Sequence, residues 1–147
     1  MFADNSVDLV YSSHALEYFD RLEAKEDLEE WHRILRPKGI LRLAVPDFEA
    51  LVKAYETYGS IEKLLGPLYG RMIMQTLQGE QPIYHKTAYD FVSLKELLEQ
   101  SGFTNVRRYD WKITIHKNYD DFSQAYIPHM DKEAGLLVSL NVESEKI

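Results

Sequence analysis

The sequence of 147 residues contains no cysteine, which excludes disulfides, thiolate chemistry and thiolate metal sites. It also has no apolar run near the ~20 residues that a membrane helix needs, and its first residues do not form a signal peptide. Chains without disulfides are typical of reducing compartments. We therefore expect a soluble, cytoplasmic protein with no membrane partner.

The sequence also has fewer basic than acidic side chains. The chain has 17 Lys+Arg against 24 Asp+Glu, a formal net charge of −7. Residues 20–30 carry six acidic side chains and two basic ones, and the one basic cluster is the pair Arg107 and Arg108. Phosphate contacts supply much of the affinity for nucleic acids, so we expect no nucleic-acid partner.

Closely spaced glycines and histidines are also missing. No two of the seven glycines are separated by a single residue, so the chain has no G-x-G turn to approach a nucleotide-like cofactor. The five histidines show no His-x-x-x-His spacing, and we expect no metal site.

The residues that are present predict alternating strands and helices over the first 58 positions. Val7–Ser12 and Ile40–Val45 read as strands. Helical segments are predicted from about Ala15, more strongly from about Ala24, and again after Asp47. The predicted apolar helix faces are Ala24, Leu28, Trp31 and Leu35 in one helix and Phe48, Leu51, Val52 and Tyr55 in the other. Strand, helix, strand and helix in this order favour an α/β fold with a parallel sheet.

The second half is less regular. Residues 59–92 are punctuated by glycine and proline, with short helical pieces such as Leu68–Leu77. Ser93 and Glu96 match a capping box that opens a helix with Leu94, Leu97 and Leu98 on its buried stripe. Val106–Trp111 is predicted to be a strand. The alternation over residues 136–143 predicts a half-buried strand, antiparallel to its neighbour.

Several segments together resemble class I S-adenosylmethionine-dependent methyltransferases. The run Asp4–Tyr18 resembles the fourth strand of that family and the loop after it. Trp31–Leu41 resembles the next helix, its proline–glycine turn and the start of the fifth strand. Ser101–Val106 is similar to the entry into the penultimate strand, and the alternating tail fits the last, antiparallel strand. The resemblance implies a partial Rossmann-like sheet, with the last parallel strands, a C-terminal antiparallel strand and flanking helices.

The departure from the family matters equally. Family members hold the cofactor on a glycine-rich turn after their first strand, and this sequence has no such turn. We therefore expect residues 1–147 to form one domain, the C-terminal half of a methyltransferase fold. The intact protein would use S-adenosylmethionine, and this chain alone would bind it weakly or not at all. A non-catalytic half-domain that acts as an interaction module is the alternative.

Two predicted strand ends carry candidate site residues. Ser12, Ser13 and His14 follow the first strand, at the sheet edge where α/β proteins bind ligands. The resemblance implies that they contact the cofactor, and His14 could also accept a proton from the substrate. The alternative is that they simply end the strand. Asp47 follows the next strand and is either a catalytic base or the cap of the following helix.

The third candidate group lies after the irregular segment. Tyr84, His85, Lys86 and Tyr89 combine aromatic, imidazole and ammonium groups that suit an anionic or hydroxylated acceptor. Insertions at this point of the fold commonly build the acceptor wall, so we expect residues 59–92 to lie on the substrate side, with His85 as a third catalytic candidate. The expected acceptor is a small molecule or a glycan-like compound. Ordinary packing of a lid is the alternative.

The strand Val7–Ser12 is predicted to be an interface. In the sheet order of the resembled family, it would lie beside a strand that this sequence does not show. Its backbone groups and its apolar side chains would then form an open edge, with partly uncovered Leu16 and Phe19 nearby. We expect a homodimer through this strand.

Overall fold

The computed structural model describes residues 2–147 and has an α/β fold built on one four-stranded sheet in the order β1-β2-β8-β5. Two small two-stranded sheets, β3-β4 and β6-β7, lie outside it. The strands are β1 Val7–Ser13, β2 Leu35–Pro46, β3 Met72–Thr76, β4 Gly79–Ile83, β5 Phe103–Arg108, β6 Tyr126–Ile127, β7 Leu136–Leu137 and β8 Ser139–Lys146. The α-helices are α1 Arg21–Ile34, α2 Phe48–Tyr58, α3 Leu65–Tyr69 and α4 Phe91–Gln100.

The main sheet is mixed. β1 and β2 are parallel, and β8 runs antiparallel to both β2 and β5. This confirms the predicted parallel pair and the antiparallel last strand. The prediction that the last strand is half-buried is wrong, because Ser139 and Asn141 are buried as well as Leu140 and Val142. β8 lies between two strands and is covered on both faces, so polar residues on its second face are also enclosed.

The main core lies where α1 and α4 pack on one face of the sheet. Alternate residues of β2 point into it, and both helices contribute leucines at helical spacing. Its fully buried members include Leu28, Leu41, Leu43, Leu94, Leu98, Phe103 and Leu140. The stripe predicted for α4 is confirmed. Leu16 also belongs to this core, so the expectation that it would be partly uncovered is wrong, whereas Phe19 is exposed.

Aspartate N-caps determine where helices α1 and α4 begin. Asp20 begins α1 with a capping box that includes Glu23. In α4 the predicted Ser93–Glu96 capping box is wrong. Asp90 is the cap and accepts from Ser93 N at 2.8 Å, while Ser93 Oγ accepts from Asp90 N at 3.1 Å. Aspartate caps helices as well as serine does, so the sequence offers two possible N-caps for α4, Asp90 and Ser93.

The segment between α2 and α4 contains a projecting hairpin. The prediction of a helix over Leu68–Leu77 is wrong, because α3 ends at Gly70, whose φ of 51° is left-handed. The chain then forms β3 and β4, joined by a short turn that ends at Gly79 with φ 102°. Most side chains of this hairpin are exposed.

Two other predicted patterns need correction. On α2 the buried side chains are Ala50, Leu51 and Ala54, while Phe48, Val52 and Tyr55 are exposed. The strand predicted at Val106–Trp111 is β5, which begins and ends three residues earlier, at Phe103 and Arg108. No helix among residues 2–147 is long and apolar enough to cross a membrane.

Candidate functional site

A cavity of about 670 Å³ opens at the carboxyl end of β1. One wall is the turn that follows β1, the second is the segment around α3 together with His85, and the third is the segment leading into β8. Its lining residues are His14, Glu17, Tyr18, Lys63, Gly66, Pro67, Gly70, Arg71, Met72, His85, Phe122, Ala125, Tyr126, Ile127, Pro128, His129, Met130 and Val138. Its size and its largely apolar wall suit a small organic ligand.

His14 stands at the turn out of β1. Its φ of 50° is left-handed, an uncommon conformation for a residue with a side chain and one that often occurs at functional turns. The backbone N of His14 donates to Ala44 O at 2.7 Å, which extends the β1–β2 pairing by one residue. Its Nε2 lies 2.9 Å from Ser139 Oγ at the start of β8. Three strands of the sheet therefore hold this imidazole in place.

Glu17 is fully buried, although it carries a carboxylate. His14 Nδ1 lies 3.3 Å from its Oε1, and His85 Nε2 lies 3.6 Å from the same atom. Both contacts are at ion-pair distance but outside hydrogen-bond geometry, and neither carboxylate oxygen has a hydrogen-bond partner among the described residues. A buried charge without strong partners is costly, so this carboxylate is a candidate for function.

His85 is seated by a close approach of the backbone. A Cβ at Gly70 would overlap the His85 ring, so only glycine fits there. His85 Nδ1 lies 3.0 Å from Pro67 O, and the ring packs edge-on against Tyr18 at 4.7 Å between centroids. Burial lowers the pKa of His85, and the charge of Glu17 partly offsets that effect.

The two serines predicted to contact a cofactor close β1 beside the cavity. Ser12 pairs with Leu43 and Ser13 with Ala44 of β2. The Ser13 hydroxyl is buried and has no hydrogen-bond partner among the described residues. Such a group suits a ligand atom that reaches this end of the strand.

Asp47 lies at the carboxyl end of β2, and both of its carboxylate oxygens are engaged. One accepts from Glu49 N and Ala50 N at 3.2 and 3.4 Å, which caps α2. The other accepts from Arg108 Nη1 at 3.0 Å. Asp47 therefore caps α2 and pairs with Arg108, which matches the capping interpretation.

The predicted acceptor cluster divides in the structure. His85 lines the cavity, whereas Tyr84, Lys86 and Tyr89 do not line it within the part of the chain that the structure describes. Lys86 pairs with Glu23 at 2.7 Å, and Tyr84 is exposed. Tyr89 is buried in the main core with Arg21 over its ring at 4.2 Å. We therefore keep His85 alone from this cluster.

Glu17 and the segment 122–130 were missed by the sequence reasoning. The available signal for Glu17 was its position three residues after His14, just past the end of the predicted strand. Phe122, Tyr126 and Met130 also line the cavity. Among residues 2–147, no group of three His, Asp or Glu side chains has the geometry of a metal site.

Comparison with known proteins identifies the architecture. Residues 1–43 match a family model described as a methyltransferase domain. A SAM-dependent methyltransferase from Methanosarcina mazei superposes with a TM-score of 0.56 at 16% identity, covering 99% of this chain and 62% of that one. The chain has the fold of the class I S-adenosylmethionine-dependent methyltransferases.

Other methyltransferases share this likeness. A structure from Thermotoga maritima, titled a possible histamine N-methyltransferase, gives a TM-score of 0.56 at 16% identity over 99% of this chain and 59% of its own. Malonyl-acyl carrier protein O-methyltransferase 1 of Coxiella burnetii is 31% identical over 68 residues, which are 46% of this chain and 23% of that protein. The chain thus spans about a quarter of that curated relative and about three fifths of these methyltransferase structures.

Proposed function

We propose that this chain forms the acceptor side of an S-adenosylmethionine-dependent methyltransferase, whose acceptor is a small molecule or a glycan-like compound. The observation that carries the proposal is the cavity at the carboxyl end of β1, where His14, Glu17 and His85 converge. Ligands of open α/β sheets bind at this edge. The methyltransferase fold and the match of residues 1–43 supply the reaction class.

The cofactor side is only partly represented in these residues. Ser12 and Ser13 fit a cofactor at the end of β1, since the Ser13 hydroxyl is buried without a partner among the described residues. The sequence has no G-x-G turn to bring a backbone close to the cofactor. We therefore propose that a glycine-rich segment must join this chain before S-adenosylmethionine binds tightly.

The chain's own residues align the acceptor and receive its proton. When bound, S-adenosylmethionine supplies an electrophilic methyl group on a sulfonium. Methyl transfer is a direct displacement, so the main task of the walls is to hold the acceptor in line. An acceptor oxygen or nitrogen that carries a hydrogen must also lose a proton. His14 is the group that we propose as its acceptor, because it borders the cavity and is held by Ser139.

The open edge of the sheet supports a second role. β1 is the terminal strand of the main sheet, with Asp8 exposed and paired to the exposed Arg36 at 2.8 Å. Unpaired strand edges favour pairing with another chain. We propose that a second copy of this chain pairs through β1, as a dimer with antiparallel copies of that strand.

A fusion protein tests the proposed activity. Residues 1–147 are joined to the part of the Methanosarcina mazei methyltransferase that precedes the strand matching β1. The fusion is expected to bind S-adenosylhomocysteine in isothermal titration, whereas the chain alone is not. Formation of S-adenosylhomocysteine from S-adenosylmethionine is then measured over a panel of hydroxylated and amine acceptors.

Variants of the fusion locate the reaction. His85→Asn is expected to reduce methyl transfer by at least tenfold at unchanged cofactor affinity, while the exposed Tyr84→Phe leaves both unchanged. A fusion that binds the cofactor product and methylates an acceptor equally well with His85→Asn would contradict the proposed site. Saturable binding at low micromolar concentration by the chain alone would contradict the need for a glycine-rich segment.

A further inference from the structure

The hydrogen-bond partner of His85 fixes the position of its proton. Its Nδ1 lies 3.0 Å from Pro67 O, and a carbonyl oxygen only accepts. Nδ1 must therefore carry the hydrogen. In a neutral ring Nε2 is then bare, and this is the atom that lies 3.6 Å from Glu17 Oε1.

A longer chain of hydrogen bonds fixes the proton of His14. Asn141 Nδ2 donates to Ser123 O at 2.8 Å, which orients the amide so that its Oδ1 accepts from the Ser139 hydroxyl at 2.8 Å. Since that hydroxyl hydrogen is used, Ser139 Oγ accepts from His14 Nε2 at 2.9 Å. The other nitrogen of a neutral His14, Nδ1, is then bare and lies 3.3 Å from the same Oε1.

Three acceptors thus converge with no hydrogen between them. A carboxylate oxygen and two bare imidazole nitrogens repel one another, and the full burial of Glu17 keeps water from supplying a donor. Neighbouring side chains do not supply one either. The Tyr18 hydroxyl donates to Gly70 O at 2.6 Å, and the ammonium group of Lys86 donates to Glu23.

We infer that His14, Glu17 and His85 form a proton-holding array, in which Glu17 shares a proton with the two imidazoles. One added proton satisfies one of the two contacts to Oε1, and a second proton satisfies both. The array therefore holds one proton and has room for another.

Tyr18 and Tyr89 are the other titratable groups on which the charge of Glu17 acts. Lys63, Arg71 and His129 line the same cavity, and none of them is a hydrogen-bond partner of Glu17 among the described residues. Burial and the charge of Glu17 raise the pKa of Tyr18, so its hydroxyl stays protonated and bound to Gly70. Burial raises the pKa of Tyr89 to about 12, so it is neutral as well.

In the proposed methyl transfer the array would take up the proton of the acceptor. This use rests on the proposed function, whereas the array itself does not. As the new bond from the acceptor atom to the methyl carbon forms, the carbon–sulfur bond breaks and its electron pair stays on sulfur. The acceptor's bond to hydrogen breaks, and the proton is released in the cavity that His14 and Glu17 line. The vacant position of the array takes it up. Glu17 acts as a positioning residue, since its fully buried carboxylate lies against both imidazoles.

Nitrogen-15 NMR of the histidine rings in the full chain, at pH 7.5 without cofactor or acceptor, tests the array directly. We expect His85 to carry its hydrogen on Nδ1 and His14 on Nε2. The facing nitrogens should show shifts between those of bare and protonated ring nitrogens. In the matched variant Glu17→Gln the amide donates to the facing nitrogens, and both should move to values of bare, hydrogen-bonded nitrogens.

Two other results of the NMR experiment would overturn the inference. Fully bare shifts for both facing nitrogens in the unmutated chain would overturn the inference, and that result needs no variant to fold. Shifts that change when EDTA is added would show a metal ion in place of the proton, which also overturns it. The spectra involve no methyl transfer, so an inactive fusion protein together with the expected spectra would remove the proposed function and leave the array standing.

Discussion

A fully buried carboxylate, Glu17, and a partly buried one, Glu143, differ in their partners. Glu143 lies in a cluster on the sheet face opposite α1 and α4, here called the sheet-face cluster, formed by Arg42, Arg107, Tyr109, His116 and Glu143. Its carboxylate accepts from Arg42 Nε at 2.9 Å and from Arg107 Nη2 at 3.1 Å. Glu17, in the array, lies at ion-pair distance from two histidines and has no hydrogen-bond partner among the described residues.

The difference separates a structural role from a functional one. Two guanidiniums compensate the charge of Glu143, and this cluster fastens β2 to β8 and β5. Charge-assisted hydrogen bonds of this kind are strong. No guanidinium or ammonium group compensates Glu17 at hydrogen-bond distance among the described residues, and it borders a cavity. Proteins tolerate such uncompensated groups mainly where chemistry requires them.

Breaking the compensated cluster should have the largest effect on stability. Arg42→Ala leaves the partly buried Glu143 with one guanidinium, and we expect the free energy of unfolding to fall by about 3 kcal/mol. Urea denaturation measures it. The control is Arg36→Ala, which removes an exposed pair with Asp8 and should cost about 0.5 kcal/mol or less. Equal losses would mean that the sheet-face cluster is not a structural fastening.

Crowding the array should have the next largest effect. Gly70→Ala combines a left-handed backbone with a Cβ that overlaps the His85 ring, so we expect a loss of about 2–3 kcal/mol. The control is Gly59→Ala, since Gly59 is left-handed with φ 62° but has open space around it. Strain alone should cost about 1 kcal/mol there. If the two variants unfold at the same urea concentration, His85 is not held by Gly70.

The sheet-face cluster should also make stability depend on pH. Burial, and then the charge of Arg42, lowers the pKa of His116 below 6.5. The unfolded chain therefore binds the proton first, and the contribution of His116 is complete above pH 6.5 and is lost as the pH falls through its folded value. The slope is at most about 1.4 kcal/mol per pH unit for this one group.

Comparison of urea midpoints between pH 7.5 and pH 5.5 measures that slope. His116→Gln should make the slope shallower by the share of this one group, because glutamine does not titrate, and His32 and His85, whose pKa values burial also lowers, keep theirs. The matched variant is His129→Gln, at an exposed histidine outside the cluster. A profile that His116→Gln leaves as steep as before would remove His116 from this account.

Self-association should have the smallest effect on stability. We expect sedimentation at micromolar concentration to show a dimer, and Leu9→Lys, which places a charge on β1, to give a monomer. Leu22→Lys is the control, because Leu22 is exposed on α1. A monomer without any substitution would contradict pairing through β1.

Periodic, local signals could be predicted from the sequence, whereas long-range contacts could not. β1, β2 and the stripe Leu94, Leu97 and Leu98 followed from patterns of residues close in the chain. The hairpin at Met72–Ile83 was not predicted, because its strands are exposed and show no alternation of apolar and polar residues. The burial of Ser139 and Asn141 was not predicted either, since it depends on the segment 109–125 folding over β8.

Single residues of the site were easier to predict from the sequence than the contacts between them. His14 was predicted because it follows a strand, and His85 because it lies among aromatic residues. Their meeting at Glu17 joins residues 68 positions apart through Gly70 and Pro67, which no local pattern shows. The family resemblance of Asp4–Tyr18 gave the fold, and geometry alone selected Glu17.

The most direct measurement of the central claim is the free energy of unfolding of Glu17→Gln. A buried glutamine keeps the shape, needs no shared proton and can donate to the imidazole nitrogens that face it. We expect this variant to be at least as stable as the unmutated chain, in contrast to Arg42→Ala. A loss of about 2 kcal/mol or more would contradict it, because Glu17 would then stabilise the fold as Glu143 does.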